Sequence, residues 1–221
     1  MARYVVVGAN RGIGLELAKQ LAARGEQVIA ACRSASPDLR ATGAEVHENV
    51  DVTDDASVDR FVAAVKANGP IDVLVHVSGI LKGDTYDSLD FDVIREQFEV
   101  NTLGPLCVAH AFAPFMKTGG KIGILSSRVG SLADNTSGGN YGYRISKAAV
   151  NMAGVNLAHD LESLGIAVLL LHPGFVKTEM TGGRGHIGPE ESARGLIQRL
   201  DELGIEQTGT FWHADGSQLP W

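Results

Sequence analysis

Three valines, Val5-Val6-Val7, run without a break into Gly8-Ala9-Asn10-Arg11-Gly12-Ile13-Gly14. A strand buried on both faces reads as a continuous apolar run, and glycines after it let the backbone turn sharply into a helix. Few folds accept such a unit, because a helix launched from the end of a buried strand returns the chain to lay the next strand parallel to the first. The remaining sequence keeps that rhythm. Apolar runs of strand length lie at residues 4–7, 27–32, 45–50, 71–77, 121–126, 166–172 and 210–213. Segments of helical periodicity at 13–24, 55–67, 89–116, 143–164 and 189–203 separate most of them, and only the connection at 36–40 is short. The expectation is one α/β domain over residues 1–221: a doubly wound, Rossmann-type parallel sheet of seven strands with helices on both faces.

Punctuation agrees with this scheme. Gly25 and Gly165 stand just past two periodic runs, and Pro189 opens the last one. Gly104-Pro105 falls inside the 89–116 run, where proline removes a helical donor, so a kink or break is expected at 101–105. Segments 131–142 and 178–188 are rich in Gly, Asn, Ser and Thr and are expected to be mobile rims. The second carries four glycines in eleven residues, which predicts a lid with few internal restraints.

Composition narrows the partners. Twenty-six acidic against 19 basic residues leave a net charge of −7, which argues against nucleic acid. Cys32 and Cys107 match no metal-ligand spacing, no histidine pair does either, and a reduced, cytoplasmic setting is expected with no metal. No apolar run approaches the roughly 18 residues of a membrane span, so no membrane partner is expected.

Two patterns carry chemistry. Gly8, Gly12 and Gly14 would let the backbone approach a pyrophosphate, held by free amides at the following helix terminus. Tyr143 and Lys147, four apart on a helix, would share one face; an ammonium beside a phenol favours the ionised form and makes Tyr143 a general acid and base. Alone, the first also fits an ordinary tight turn and the second a chance pair on a half-solvated helix. At the end of the second strand the sequence reads Ala31-Cys32-Arg33, with no acid to meet a ribose 2′-hydroxyl. Arg33 and Arg11 would instead flank a 2′-phosphate, so NADP(H) is expected over NAD(H). The acidic run at 51–55 reads as a helix cap, with Asp51 alone available to an adenine.

Taken in order, the motifs resemble those of the short-chain dehydrogenase/reductase family over essentially the whole chain. Gly8-Ala9-Asn10-Arg11-Gly12-Ile13-Gly14 fits the family's cofactor loop, with Val7 where the family usually has Thr. Asp51-Val52 resembles its adenine-contacting pair. His76-Val77-Ser78-Gly79 stands in place of Asn-Asn-Ala-Gly and departs at three positions, putting local bracing of the sheet in doubt. Asn101 matches the helix asparagine of the catalytic tetrad, Ser127 the serine, and Tyr143 and Lys147 the remaining pair; Ser126 and Ser131 compete for the serine role. Pro173-Gly174-Phe175-Val176-Lys177-Thr178 resembles the stretch in which Val176 and Thr178 would hold the nicotinamide.

The tail Asp215-Gly216-Ser217-Gln218-Leu219-Pro220-Trp221 is similar to that of small carbonyl reductases grouped with the C-factor and Sniffer proteins. The resemblance implies an NADPH-dependent carbonyl reductase acting on a small carbonyl or alcohol, assembled as a homodimer or homotetramer. Its substrate walls are expected at about 80–90, 129–142 and 178–188. The alternative it leaves open is a dinucleotide-binding signalling protein with incidental turnover.

Overall fold

A computed structural model describes residues 1–221. The strands are β1 (Arg3–Val7), β2 (Gln27–Ala31), β3 (Glu45–His47), β4 (Ile71–His76), β5 (Met116–Leu125), β6 (Ala167–His172) and β7 (Thr210–His213). The helices are α1 (Gly12–Ala23), α2 (Pro37–Arg40), α3 (Asp55–Lys66), α4 (Phe91–Phe98), α5 (Gly104–Phe112), α6 (Tyr141–Leu161) and α7 (Pro189–Glu202). All seven strands pair in parallel in the order β3-β2-β1-β4-β5-β6-β7. The chain winds outward from β1 to β3, then returns past β1 to lay β4. That reversal opens a crevice beyond the carboxyl ends of β1 and β4, where doubly wound sheets bind ligands.

Alternation along β1 divides the core. Val5 and Val7 face one cluster, with Phe61 and Val65 of α3, Phe112 of α5 and Leu157 of α6. Tyr4 and Val6 face the other, with Leu17 and Leu21 of α1 and Leu196 and Leu200 of α7. Each fully buried side chain of this kind contributes about 1.5–3 kcal/mol, which explains why the central strands carry apolar residues on both faces.

The break expected in the 89–116 run is a π-helical turn at Glu99–Leu103, between α4 and α5. The Gly104 amide donates to the Glu99 carbonyl, five residues back, and Pro105 has no amide to offer the Asn101 carbonyl. Gly104 is also required there, since a Cβ would lie 2.7 Å from Val52 Cγ2.

Three boundaries differ from expectation. β3 ends early, at His47, and Asn49 just beyond it adopts φ 59°. β5 starts at Met116 rather than 121, with a register shift between Ile71 and Val73 of its neighbour. α6 starts at Tyr141 rather than 143, because Asp84 reaches its first turn: the Tyr141 and Gly142 amides both donate to the Asp84 carboxylate. No helix is long and apolar enough to cross a membrane.

Segment 178–188 is a further correction. It has internal restraints despite its glycines: Thr181 and Gly183 amides donate to the Thr178 carbonyl, and those of Lys177 and His186 clasp Ile187 and Phe175. Gly185 packs so closely on this clasp that a Cβ would lie 2.6 Å from the Lys177 nitrogen.

Candidate active site

The β1–α1 turn is built by contact. Gly8 has φ 92° and Gly12 φ 54°, and a Cβ at Gly14 would fall 2.1 Å from the Gly8 carbonyl oxygen. Gly8 and Ala9 amides both donate to the Ala31 carbonyl, tying the turn to β2. Asn10 holds the far side, its Oδ1 accepting from the Ser36 amide at 2.6 Å. The first turn of α1, with Ile13 exposed to the crevice, has no acidic residue and no side-chain cap. Its free amides therefore face outward, an arrangement suited to a pyrophosphate.

Opposite this turn, Gly12 faces Thr178: a Cβ at Gly12 would be 3.4 Å from Thr178 Cγ2. Pro173, Gly174 and Val176 line the same crevice, with the Pro173 carbonyl accepting from Ser192 Oγ at 2.7 Å. On the adenine side, Asp51 Oδ1 accepts from the amide and hydroxyl of Thr53 at 3.0 and 2.8 Å. Those bonds hold its carboxyl below the usual range, and the nearby Arg33 charge adds to the effect. Val52 is buried beside it, and Asp54, not Asp51, caps α3. Arg33 is exposed. Arg11 is not the free partner that sequence reading expects: its guanidinium is ion-paired with Glu179 across the crevice.

Behind the crevice lies a buried polar constellation. Asn101 is fully buried; its Nδ2 donates to the Ile80 carbonyl at 2.9 Å and Ser146 Oγ at 3.0 Å, while its Oδ1 accepts from the Ile80 amide at 2.8 Å. Its side chain is thus committed to protein partners, whereas its carbonyl lacks the amide that Pro105 cannot supply. Gly79 permits the approach, since a Cβ there would lie 3.1 Å from Asn101 Oδ1 and 3.8 Å from Lys147 Nζ. Ser78 sits over Gly8, its amide donating to the Val7 carbonyl.

Lys147 Nζ donates to the Leu125 carbonyl at 2.8 Å and lies 5.8 Å from the Tyr143 ring centre. Burial pushes Lys147 down to about 8 and Tyr143 up to about 12, with the Ser127 hydroxyl pulling Tyr143 back. Desolvation is thus the largest influence on the Tyr143 phenol, and the Ser127 hydroxyl, not the ammonium, is what opposes it. His76, in the departed motif, is buried and held near 3 by burial and by Lys147; it is neutral, and its Nε2 has no partner.

The three competing serines separate. Ser126 lines the cavity but its Oγ donates to Asn151 Oδ1, and Ser131 Oγ accepts from the Asp134 amide and does not line the cavity. Ser127 and Tyr143 face one cavity of about 620 Å³ beside Thr178 and Phe175. The loops around it bring in side chains that sequence reading gave no role: Arg128, Arg144 and His172, together with Asp134 from the expected 129–142 wall. No motif marks them, because each depends on how distant loops meet. No group of three or more His, Cys, Asp or Glu side chains converges to hold a metal.

The family model for short chain dehydrogenases matches residues 3–186. The protein belongs to the short-chain dehydrogenase/reductase family. This dehydrogenase is 49 % identical over 226 residues to the 1-hydroxy-2-glutathionyl-2-methyl-3-butene dehydrogenase of Rhodococcus sp. (strain AD45), with all of both chains covered. Its fold matches the carbonyl reductase Sniffer of D. melanogaster with a TM-score of 0.92 at 29 % identity, over the whole of both chains. The NADPH-bound carbonyl reductase from chicken fatty liver matches equally well, at 0.92 and 28 %, over 100 % of this chain and 99 % of that one. As a member of this family the dehydrogenase is an oxidoreductase.

Proposed function

We propose that this dehydrogenase interconverts a small carbonyl compound and its alcohol with NADP(H), using Tyr143 as proton donor and acceptor. The observation that carries the reading is the convergence of the Ser127 and Tyr143 hydroxyls on one cavity, with Lys147 buried behind them. The dinucleotide supplies hydride when bound. Gly8, Gly12, Gly14 and the amides of Asn10, Arg11 and Ile13 would hold its pyrophosphate, Asp51 and Val52 its adenine, and Ser78 and Gly79 would contact the cofactor beside them. Pro173, Gly174, Val176 and Thr178, which line the cavity, would hold the nicotinamide.

Ser127 hydrogen-bonds the substrate oxygen and orients it. Tyr143, half-buried and protonated near neutrality, delivers its hydroxyl proton to that oxygen in reduction and reclaims one in oxidation. Lys147 would hold the nicotinamide ribose. The Asn101 carbonyl, freed by Pro105, holds a water that connects Lys147 to solvent.

NADP(H) is preferred over NAD(H) because β2 ends without a carboxylate and Arg33 stands exposed beside Asp51. The NADPH in the chicken relative supports the same choice. The Rhodococcus relative's name specifies an alcohol bearing a glutathionyl group, so such alcohols are the first substrates to test. Purified protein is expected to reduce NADP+ with glutathionyl alcohols and to oxidise NADPH with members of an aldehyde, ketone and quinone panel. Absence of turnover throughout would overturn the reading.

A further inference from the structure

The protein as a whole carries a net charge of −7, yet the cavity at Ser127 and Tyr143 has the opposite balance. Two guanidinium groups, Arg128 and Arg144, line it against a single carboxylate, Asp134. His172, also in the wall, is pushed down to about 3 by burial and adds no charge. Lys147 Nζ is turned to the Leu125 carbonyl.

The two arginines are used differently. Arg144 is spent on the surrounding loop, its Nε donating to the Gly139 carbonyl at 3.1 Å, Nη1 to the Val129 carbonyl at 3.2 Å and Nη2 to Ser137 Oγ at 2.9 Å. Arg128 is held only at its base, where Nε donates to Asp134 Oδ2 at 2.6 Å. Its Nη1 and Nη2 make no hydrogen bond within the protein, and 57 % of the side chain is exposed. Asp134 thus fixes the plane of a guanidinium whose free edge is left to pair with an anion, as planar donors do with carboxylates. Arg128 also follows Ser127 directly in the chain. A substrate whose reacting oxygen rests on Ser127 would extend past that free edge.

We propose that Arg128 is a specificity-determining residue that binds a carboxylate of the substrate, oriented by Asp134 and backed by the Arg144-braced loop. The ligand class is a small alcohol or carbonyl compound carrying a carboxylate away from the reacting carbon. This inference rests on the oxidoreductase reading of the same cavity, and its test separates the two.

The probes are 4-carboxybenzaldehyde and its neutral methyl ester, with NADPH. Arg128→Gln is expected to lower the acid-to-ester ratio of kcat/KM by about ten- to a hundredfold, chiefly through KM. Arg128→Lys restores part of the ratio, Asp134→Asn lowers it less, and added salt narrows it in the wild type. An unchanged ratio in Arg128→Gln overturns the assignment. Equal losses for both probes do so too, as does a loss of NADPH affinity matching the loss for the acid, which would make the cofactor's phosphate the anion held. Binding of 4-carboxybenzyl alcohol to the NADPH complex, followed by ligand-observed NMR, stands apart from turnover. Tenfold weaker binding in Arg128→Gln supports the site even where neither aldehyde reacts; equal binding removes it.

Discussion

The floor and the rim of the cavity both use glycine, for opposite reasons. In the β1–α1 turn a Cβ at Gly14 would collide with the Gly8 carbonyl, and one at Gly8 would meet Ser78 at 2.6 Å. In the rim, Gly185 packs on backbone, whereas Gly138, Gly182, Gly183 and Gly188 have nothing within 4 Å of the position a Cβ would take. Gly138, Gly182 and Gly183 need glycine for a positive φ alone. A floor built by backbone contact has one shape, whereas a rim built from turns is set by the partners that hold its ends. Under the proposed function, the shared chemistry would belong to the former and substrate choice to the latter.

The strongest way to break this division is at Tyr143. Tyr143→Phe is expected to cut turnover at least about a hundredfold on every substrate while leaving NADPH affinity nearly unchanged, read by steady-state kinetics and cofactor titration. Near-normal turnover on any one substrate would mean that the floor is not common to all.

Lys147 tests the same region through stability. Its value is about 8 in the folded protein against about 10.4 unfolded, so between these pH values the unfolded chain binds the extra proton and folded stability rises with pH. Relative to Lys147→Met, the wild type should gain about 2–3 kcal/mol from pH 8 to pH 10, measured by denaturant unfolding. A flat difference would show that the ammonium is not desolvated.

Glycine substitutions sharpen the contrast directly. Gly14→Ala should cost about 1–3 kcal/mol or more, because backbone has to move to admit the methyl group. Gly188→Ala, in open space at φ −83°, should stay within about 0.5 kcal/mol. Similar shifts in Tm for the two would erase the distinction.

The smallest expected effect concerns the arginines at the cofactor end. Arg33→Ala should weaken NADPH about tenfold, with little change for NADH. Arg11→Ala should do less, since Arg11 already pairs with Glu179. The reverse order would mean that the ion pair opens when NADPH binds.

Much of the floor was legible because its signals are local. Val5-Val6-Val7 and the glycines specify strand, turn and helix within ten residues, and Pro105 foretold the break now seen at Glu99–Leu103. Tyr143 and Lys147 needed only helical spacing to be grouped. The rim was not legible, because its restraints join residues far apart in the chain. The Arg11–Glu179 pair, the Asp84 contacts to α6 and the Ala133 amide on the Trp221 carbonyl all depend on which loops the crossovers bring together. Glycine content alone likewise misjudged 178–188, whose bonds to Phe175 and Thr178 no composition announces. The burial around Tyr143 was not legible for a related reason: spacing reveals that a cation is near, but not how much water the fold has removed.

Asp84 holds the first turn of α6 from a loop on the far wall, and Tyr143 stands just beyond the two amides it engages. The Tyr143 phenol therefore owes part of its placement to a segment that would be exchanged first in any attempt to retarget the cavity. A grafted 80–90 loop must reproduce that carboxylate at that point. Without it, the helix start frays by the few tenths to about 2 kcal/mol that a lost cap costs, and a graft with a well-shaped pocket fails for want of an anchored tyrosine.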